Sequence, residues 1–206
     1  MPALIRPYHP RDRAAVRALC CDTAFMGEPL DRFFDDRELV ADALSRYYTD
    51  FEPEHTLVVE NDGRVVGYFF GCADTARFSA TMRWRIAPLL TLRILWRGAA
   101  WRRGTRGFFF RIVRSVFAGH ARLPDTPPEF PAHFHVNLSK AIRGQGLGPQ
   151  LIERGLALLR DAGAGGVHLQ TIQQNPEDVL FRLQSSHRSV KRKNKSLIQA
   201  ALLEKI

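Results

Sequence analysis

The stretch AIRGQGLGPQ, residues 141–150, follows a strand-like run, HFHVNL, and precedes a leucine-rich segment at helical spacing. Strand, glycine loop and helix in that order bring exposed main-chain N–H groups and the positive end of a helix to one point. Such a point suits an anion, most often a phosphate. Glycine matters there because a Cβ would hold a ligand away from the backbone. Two phosphate loops are excluded by spacing. No lysine follows Gly148 as a Walker A motif requires, and Gly144, Gly146 and Gly148 give G-x-G-x-G where a dinucleotide fingerprint needs G-x-G-x-x-G. What remains is R-x-x-G-x-G, Arg143 to Gly148.

Around that loop the chain reads as strands interleaved with helices. Residues 3–7 form a short strand, PRDRAAVRALCC a helix with Ala14, Val16, Leu19 and Cys20 close to helical spacing, and ELVADALSRYY another helix. HTLVVE and RVVGYFFGC, joined by Asn61, Asp62 and Gly63, predict a hairpin whose turn places Gly63 at positive φ. Residues 77–118 read as two or more amphipathic helices, with Pro88 suited to a first turn. The proline-rich LPDTPPEFP leads into HFHVNL; a helix then runs over about 146–162 and ends at Gly163 to Gly166. GVHLQTIQ is a further strand, and Asn175 with Pro176 can start the next helix.

Composition narrows the class. With 206 residues, 45% of them hydrophobic, one buried core and a single domain are expected. The absence of a long apolar run or signal-like start predicts a soluble, cytoplasmic protein. Three cysteines, two of them adjacent, suggest neither a disulfide framework nor a zinc site, so buried thiols are expected. The net charge of +9 is local: Arg77 to Arg122 holds eleven arginines and no Asp or Glu, together with Trp84, Trp96, Trp101 and Phe108 to Phe110. Lysine is just as unevenly spread, with Lys140 the sole one in the first 190 residues and four in the last 16.

The R-x-x-G-x-G loop in this setting resembles the acetyl-CoA pyrophosphate loop of the GNAT superfamily of acyl-CoA-dependent N-acyltransferases. IRPYHPRDRAAV is similar to that family's first strand and helix, VVENDGRVVGYFFG to its second and third strands, and LQTIQQNPEDVLF to its fifth strand and the Asn beginning its fourth helix. The long helical insertion before HFHVNL also resembles the acetyltransferase-like domain attached to some O-GlcNAc hydrolases. The resemblance implies an α/β (α+β) fold with a central mixed, mostly antiparallel sheet flanked by helices. It divides the chain into a domain over 1–183, including an Arg/Trp-rich helical insertion at 77–122, and an atypical polar or helical tail over 184–206 with an incomplete or altered C-terminal hairpin. It implies that Arg143, Gly144, Gln145, Gly146, Leu147 and Gly148 bind the cofactor pyrophosphate. The backbone of Asn137, Leu138 and Ser139 would align with the pantetheine arm, and Asn175 would touch the cofactor from the next strand end. Acetyl-CoA is the implied acyl donor, with no metal.

Acyl transfer to a primary amine needs a route for the ammonium proton, whose lysine-like pKa is about 10.4. It also needs a donor for the tetrahedral oxyanion, implied near Leu138, and an acid for the leaving thiolate. Period two puts His133, His135 and Asn137 on one strand face and Phe134, Val136 and Leu138 on the other. If the apolar face packs on the core, both histidines face the cleft and are candidate bases; Glu60 is the carboxylate alternative. Where many relatives carry an acidic tyrosine, seven residues after the Asn, this chain has Arg182. That departure, and a tail lacking Gly, aromatic residues and alternation, lead to the expectation that the original C-terminal hairpin was lost through a shifted frame or fusion. They keep a second reading open: a non-catalytic CoA-binding module, or a basic adaptor for membrane or nucleic acid acting through 77–122. A homodimer is also left open.

Overall fold

A computed structural model describes residues 3–23, 36–98, 129–172, 189–193 and 199–204, with the backbone alone described for 169–172 and for the last two segments. Its strands are β1 (Leu4–Pro7), β2 (Thr56–Asn61), β3 (Arg64–Cys72), β4 (Ala132–Leu138), β5 (Val167–Ile172), β6 (Ser189–Lys193) and β7 (Gln199–Glu204). Among the described residues they form one sheet in the order β1-β2-β3-β4-β5-β7-β6, antiparallel at each junction except the parallel β4–β5 pair. The β2–β3 turn forms as the sequence predicts, with Asp62 at φ 48° and Gly63 at φ 73°. Two positive-φ residues make the turn twist with its strands, which is why Asp-Gly closes such hairpins.

Helices cover both faces. On one lies α5 (Leu147–Asp161), whose Leu147, Leu151, Ile152, Gly155, Leu156 and Leu159 face a core with Leu57, Val59, Phe69 and Phe134. Gly155 lets the helix approach closely, since a Cβ there would lie 2.3–2.5 Å from ring atoms of Phe69. The helix ends in a Schellman turn: Gly163 (φ 84°) donates to the Arg160 carbonyl and Ala164 to that of Leu159. On the other face, α1 (Arg13–Thr23) and α2 (Arg37–Asp50) pack over Val58, Tyr68, Phe70 and Cys72. A continuous helical rod joins them there: α3 (Thr75–Thr81), a π turn (Met82–Ile86) and α4 (Ala87–Trp96). This rod is the described part of the helical insertion; residues 99–128 of the Arg/Trp-rich segment lie outside the described residues.

The tail departs from expectation. Expected to be polar and helical, its described part is instead the strand pair β6–β7, with β7 inserted between β5 and β6. The free ladder of β5 offers a full set of backbone partners, and that tertiary pairing overrides the weak local helix preference of a short segment. β6 reads SVKRK, and a lysine-rich strand at a sheet edge discourages pairing with another chain. β5 is covered along that side by β7.

Candidate functional site

Pairing between β4 and β5 covers only Ala132 with Val167 and His133 with His168, so the two strands separate beyond that point. β4 nevertheless continues to Leu138, paired with β3 throughout. In an antiparallel ladder, successive residues turn their N–H and C=O alternately toward and away from the partner. Ser139 donates to the Val66 carbonyl, so Ser139 and Asn137 point their main-chain groups at β3. Ala132 donates to Gly166 on the β5 side, so Val136 and Leu138 point theirs into the gap. Of the three residues expected to align with an extended ligand, Leu138 is therefore placed to do so through its backbone, and Asn137 and Ser139 are not. Val136, not among the expected residues, shares the backbone direction of Leu138, which only the register with β3 reveals. The Asn137 side chain donates to the Tyr68 hydroxyl at 2.7 Å.

At the far end of β4 the chain makes a short 3₁₀ turn, Lys140–Ile142, and then the glycine loop. Gly144 and Gly146 adopt φ 80° and 75°, and Gly146 is the N-cap of α5. No side chain caps this helix. Pro149 in the first turn has no N–H, and the amides of Gly146, Leu147 and Gly148 donate to no acceptor among the described residues. A β-carbon at Gly144 or Gly146 would meet nothing within 4 Å, so the loop is open beside these two glycines. Three unspent donors at the positive end of a 15-residue helix form an anion cradle. Arg143 acts on the loop itself: its Nε donates to the Leu138 carbonyl at 3.1 Å, tying the loop back to the strand end. Gln145 lies in the same loop, and the Gln150 side chain donates to the Gly146 carbonyl.

The histidines behave differently from one another. The expected alternation along β4 holds, but the histidine face is not left bare, because α2 and α3 cover its first residue. His133 is buried, with Nε2 2.9 Å from the Tyr48 hydroxyl and Nδ1 2.7 Å from Thr75 Oγ1, so both ring nitrogens are engaged whichever tautomer is present. Burial, with the nearby His135 and His168 charges, pushes its pKa down to about 3. His168, also buried, donates Nδ1–H to the Phe130 carbonyl at 3.0 Å, and burial lowers its pKa too. His135 alone of the three is exposed, two residues further along β4, beyond the point where β5 departs. Desolvation by the protein around it, helped by His168, pushes its pKa down to about 4, the combination expected of a group in a cleft wall.

Glu60 lies elsewhere. Its carboxylate accepts from Arg6 Nε at 2.8 Å, and Arg6 also grips Asp12. The register puts Glu60 opposite Val65, one step past the Gly67–Leu138 pair, toward the loop end and away from His135. Asn175 and Arg182 lie outside the described residues. The three cysteines are buried, and burial pushes the Cys20 thiol up to about 12. Among the described residues no group of three or more His, Cys, Asp or Glu is placed to hold a metal ion. A separate cavity of about 480 Å³ opens between α1 and α2, but its Arg13, Arg17 and Arg37 are committed to Asp50, Asp42 and Asp22.

No family model matches the sequence. Solved structures do match. The protein solved as SsHAT is 25% identical with a TM-score of 0.72, covering 100% of this chain and 98% of its own. YncA of Salmonella typhimurium, solved with its cofactor acetyl-CoA, is 15% identical with a TM-score of 0.53, covering 100% and 94%. A ribosomal-protein-alanine N-acetyltransferase of Brucella melitensis is 17% identical with a TM-score of 0.53, covering 98% and 99%. The chain has the GNAT acetyltransferase fold, and the resemblance read in its sequence stands at that level.

Proposed function

We propose that the protein is an N-acyltransferase that moves an acetyl group from acetyl-CoA to a primary amine of a small molecule or protein. The observation that carries this reading is the conjunction of three unspent amides at Gly146, Leu147 and Gly148 with a β4 edge from which β5 has parted. The first suits a diphosphate and the second an extended, amide-bearing arm, and the two lie end to end. Acetyl-CoA has both parts in that order, so the residues present fit it; when bound it supplies the activated acyl group. Val136, one pleat deeper than Leu138, is then the better oxyanion donor, because the thioester lies at the end of the arm remote from the diphosphate.

His135 is uncharged at neutral pH and accepts a hydrogen bond from water, through which the acceptor's ammonium proton can pass to solvent. His133 supports this arrangement: anchored between Tyr48 and Thr75, it fixes the strand that carries His135. Glu60, committed to Arg6, has a structural role in this reading. The acyl carbon gains the C–N bond and loses the C–S bond; of the two protons that the ammonium nitrogen gives up, one passes through the water to solvent and the other ends on the departing thiolate, which leaves as the free thiol of coenzyme A. Thiol release from acetyl-CoA, measured against a panel of primary amines, tests the reading: amine-dependent release supports it. Saturable cofactor binding with no release under any amine would favour the non-catalytic binder.

A further inference from the structure

The rod from Thr75 to Trp96 has two unlike sides. Its inner side packs on the domain through Phe78, Met82, Ile86 and Leu90, with Ile94 against the α2 cluster. Its outer side carries Trp84, Leu92, Leu95 and Trp96, which are 72%, 63%, 48% and 87% exposed. At 1.5 Å per residue the two indoles stand about 18 Å apart along the axis, marking the ends of an apolar crest. Large apolar side chains grouped on one exposed ridge are not ordinary surface and point to something that covers them.

The charges say what kind of surface that is. Between Thr75 and Gly98 there are five arginines and no acid. Arg77, Arg83 and Arg85 are exposed, with the Arg83 guanidinium 5.3 Å from the Trp84 ring centre. Arg93 and Arg97, each 44% exposed, pair with the buried Asp42 and Asp36, so their charges are balanced beside the crest. In sequence the same character continues, with six more arginines, no acid, Trp101 and Phe108 to Phe110 within residues 99–122.

We infer that the outer face of the Thr75–Trp96 rod is an interfacial surface by which the protein docks reversibly on membranes rich in anionic lipid. Indoles and leucines on the crest enter the headgroup boundary while the flanking guanidiniums meet lipid phosphates, which is how a helix lying in the membrane plane binds. Nucleic acid would call for free guanidiniums along the crest, and the two nearest its Leu92–Trp96 end are paired with Asp42 and Asp36. No helix among the described residues is long and apolar enough to cross a membrane, so the rod rests on the surface. The inference does not depend on acetyl transfer.

The test is flotation of the full chain with vesicles of phosphatidylcholine alone or with roughly 30 mol% phosphatidylglycerol, at low and high salt. Expected is binding to the anionic vesicles only, weakened by salt, with a blue-shifted indole emission. Trp84→Ser with Trp96→Ser should lower the partition constant by about tenfold or more. Arg77→Gln, Arg83→Gln and Arg85→Gln should each lower it by about fivefold, equivalent to about 1 kcal/mol per charge. Circular dichroism and acetyl-CoA binding of the same variants show that the domain is intact and keep this result separate from the acyltransfer reading. Equal binding to neutral vesicles, unchanged binding of the double Trp variant, or binding to duplex DNA with none to vesicles would each overturn the inference.

Discussion

Replacing Gly155 by alanine tests how α5, and with it the anion cradle, is seated on the sheet. The added Cβ would stand 2.3, 2.4 and 2.5 Å from Cζ, Cε2 and Cε1 of Phe69. That ring is fully buried and stacked on Phe134 with centroids 5.1 Å apart, so it cannot swing clear. An ordinary contact needs about 1 Å more, and forcing it costs about 1–3 kcal/mol. Alanine returns about 1 kcal/mol through helix propensity, leaving a net loss of about 0–2 kcal/mol. Phe69→Leu removes the three clashing atoms at its own cost, and in that background Gly155→Ala should become neutral or stabilising. Urea unfolding of the four proteins closes a double-mutant cycle with an expected coupling of about 1–3 kcal/mol. If Gly155→Ala costs the same in both backgrounds, the ring does not set the helix position and the reasoning fails.

Other outcomes follow from the site. His133→Ala leaves the Tyr48 hydroxyl and Thr75 without their partner in a buried place, so it should destabilise by about 1–3 kcal/mol, read from the same unfolding curves. His133 is held neutral when folded, with its pKa down near 3, while the unfolded residue takes a proton near 6.5. Its contribution is therefore complete above that value and is lost as pH falls from 6.5 toward 3, and His133→Gln should flatten the acid limb of a stability–pH profile. His135→Ala should lower kcat by about 100-fold or more with little change in stability or acetyl-CoA affinity. With its pKa near 4, the wild-type rate should show no break between pH 6 and 7 from this group; a kcat unaltered by the substitution would remove it from the chemistry.

The sequence announced the parts of this molecule that depend on local chemistry. Asp62 and Gly63 specify a turn with two positive-φ residues, while Gly146 at a helix start and Gly163 at a helix stop each take positive φ singly. The face alternation of β4 was equally legible, since it follows from period two alone. What was not legible depends on partners distant in the chain. Both ring nitrogens of His133 are engaged by Tyr48 and Thr75, 85 and 58 residues away. Glu60 is held by Arg6, which β1 carries two residues beyond Leu4, the residue opposite Glu60. The tail was misread because its pairing with β5 has no counterpart in its own pattern. The backbone direction at Val136 needed the β3 register before parity could be assigned.

The account stands on the amides of Gly146, Leu147 and Gly148 receiving a diphosphate. Calorimetric titration with acetyl-CoA, set beside the acetyl thioester of pantetheine that lacks the diphosphate, examines that directly. Saturable one-site binding of acetyl-CoA, with affinity for the truncated thioester lower by about 1,000-fold or more, is the predicted result, since three charge-assisted hydrogen bonds at about 1.5–3 kcal/mol each are removed. Equal affinity for the two compounds, or no heat from acetyl-CoA at millimolar concentration, would contradict it.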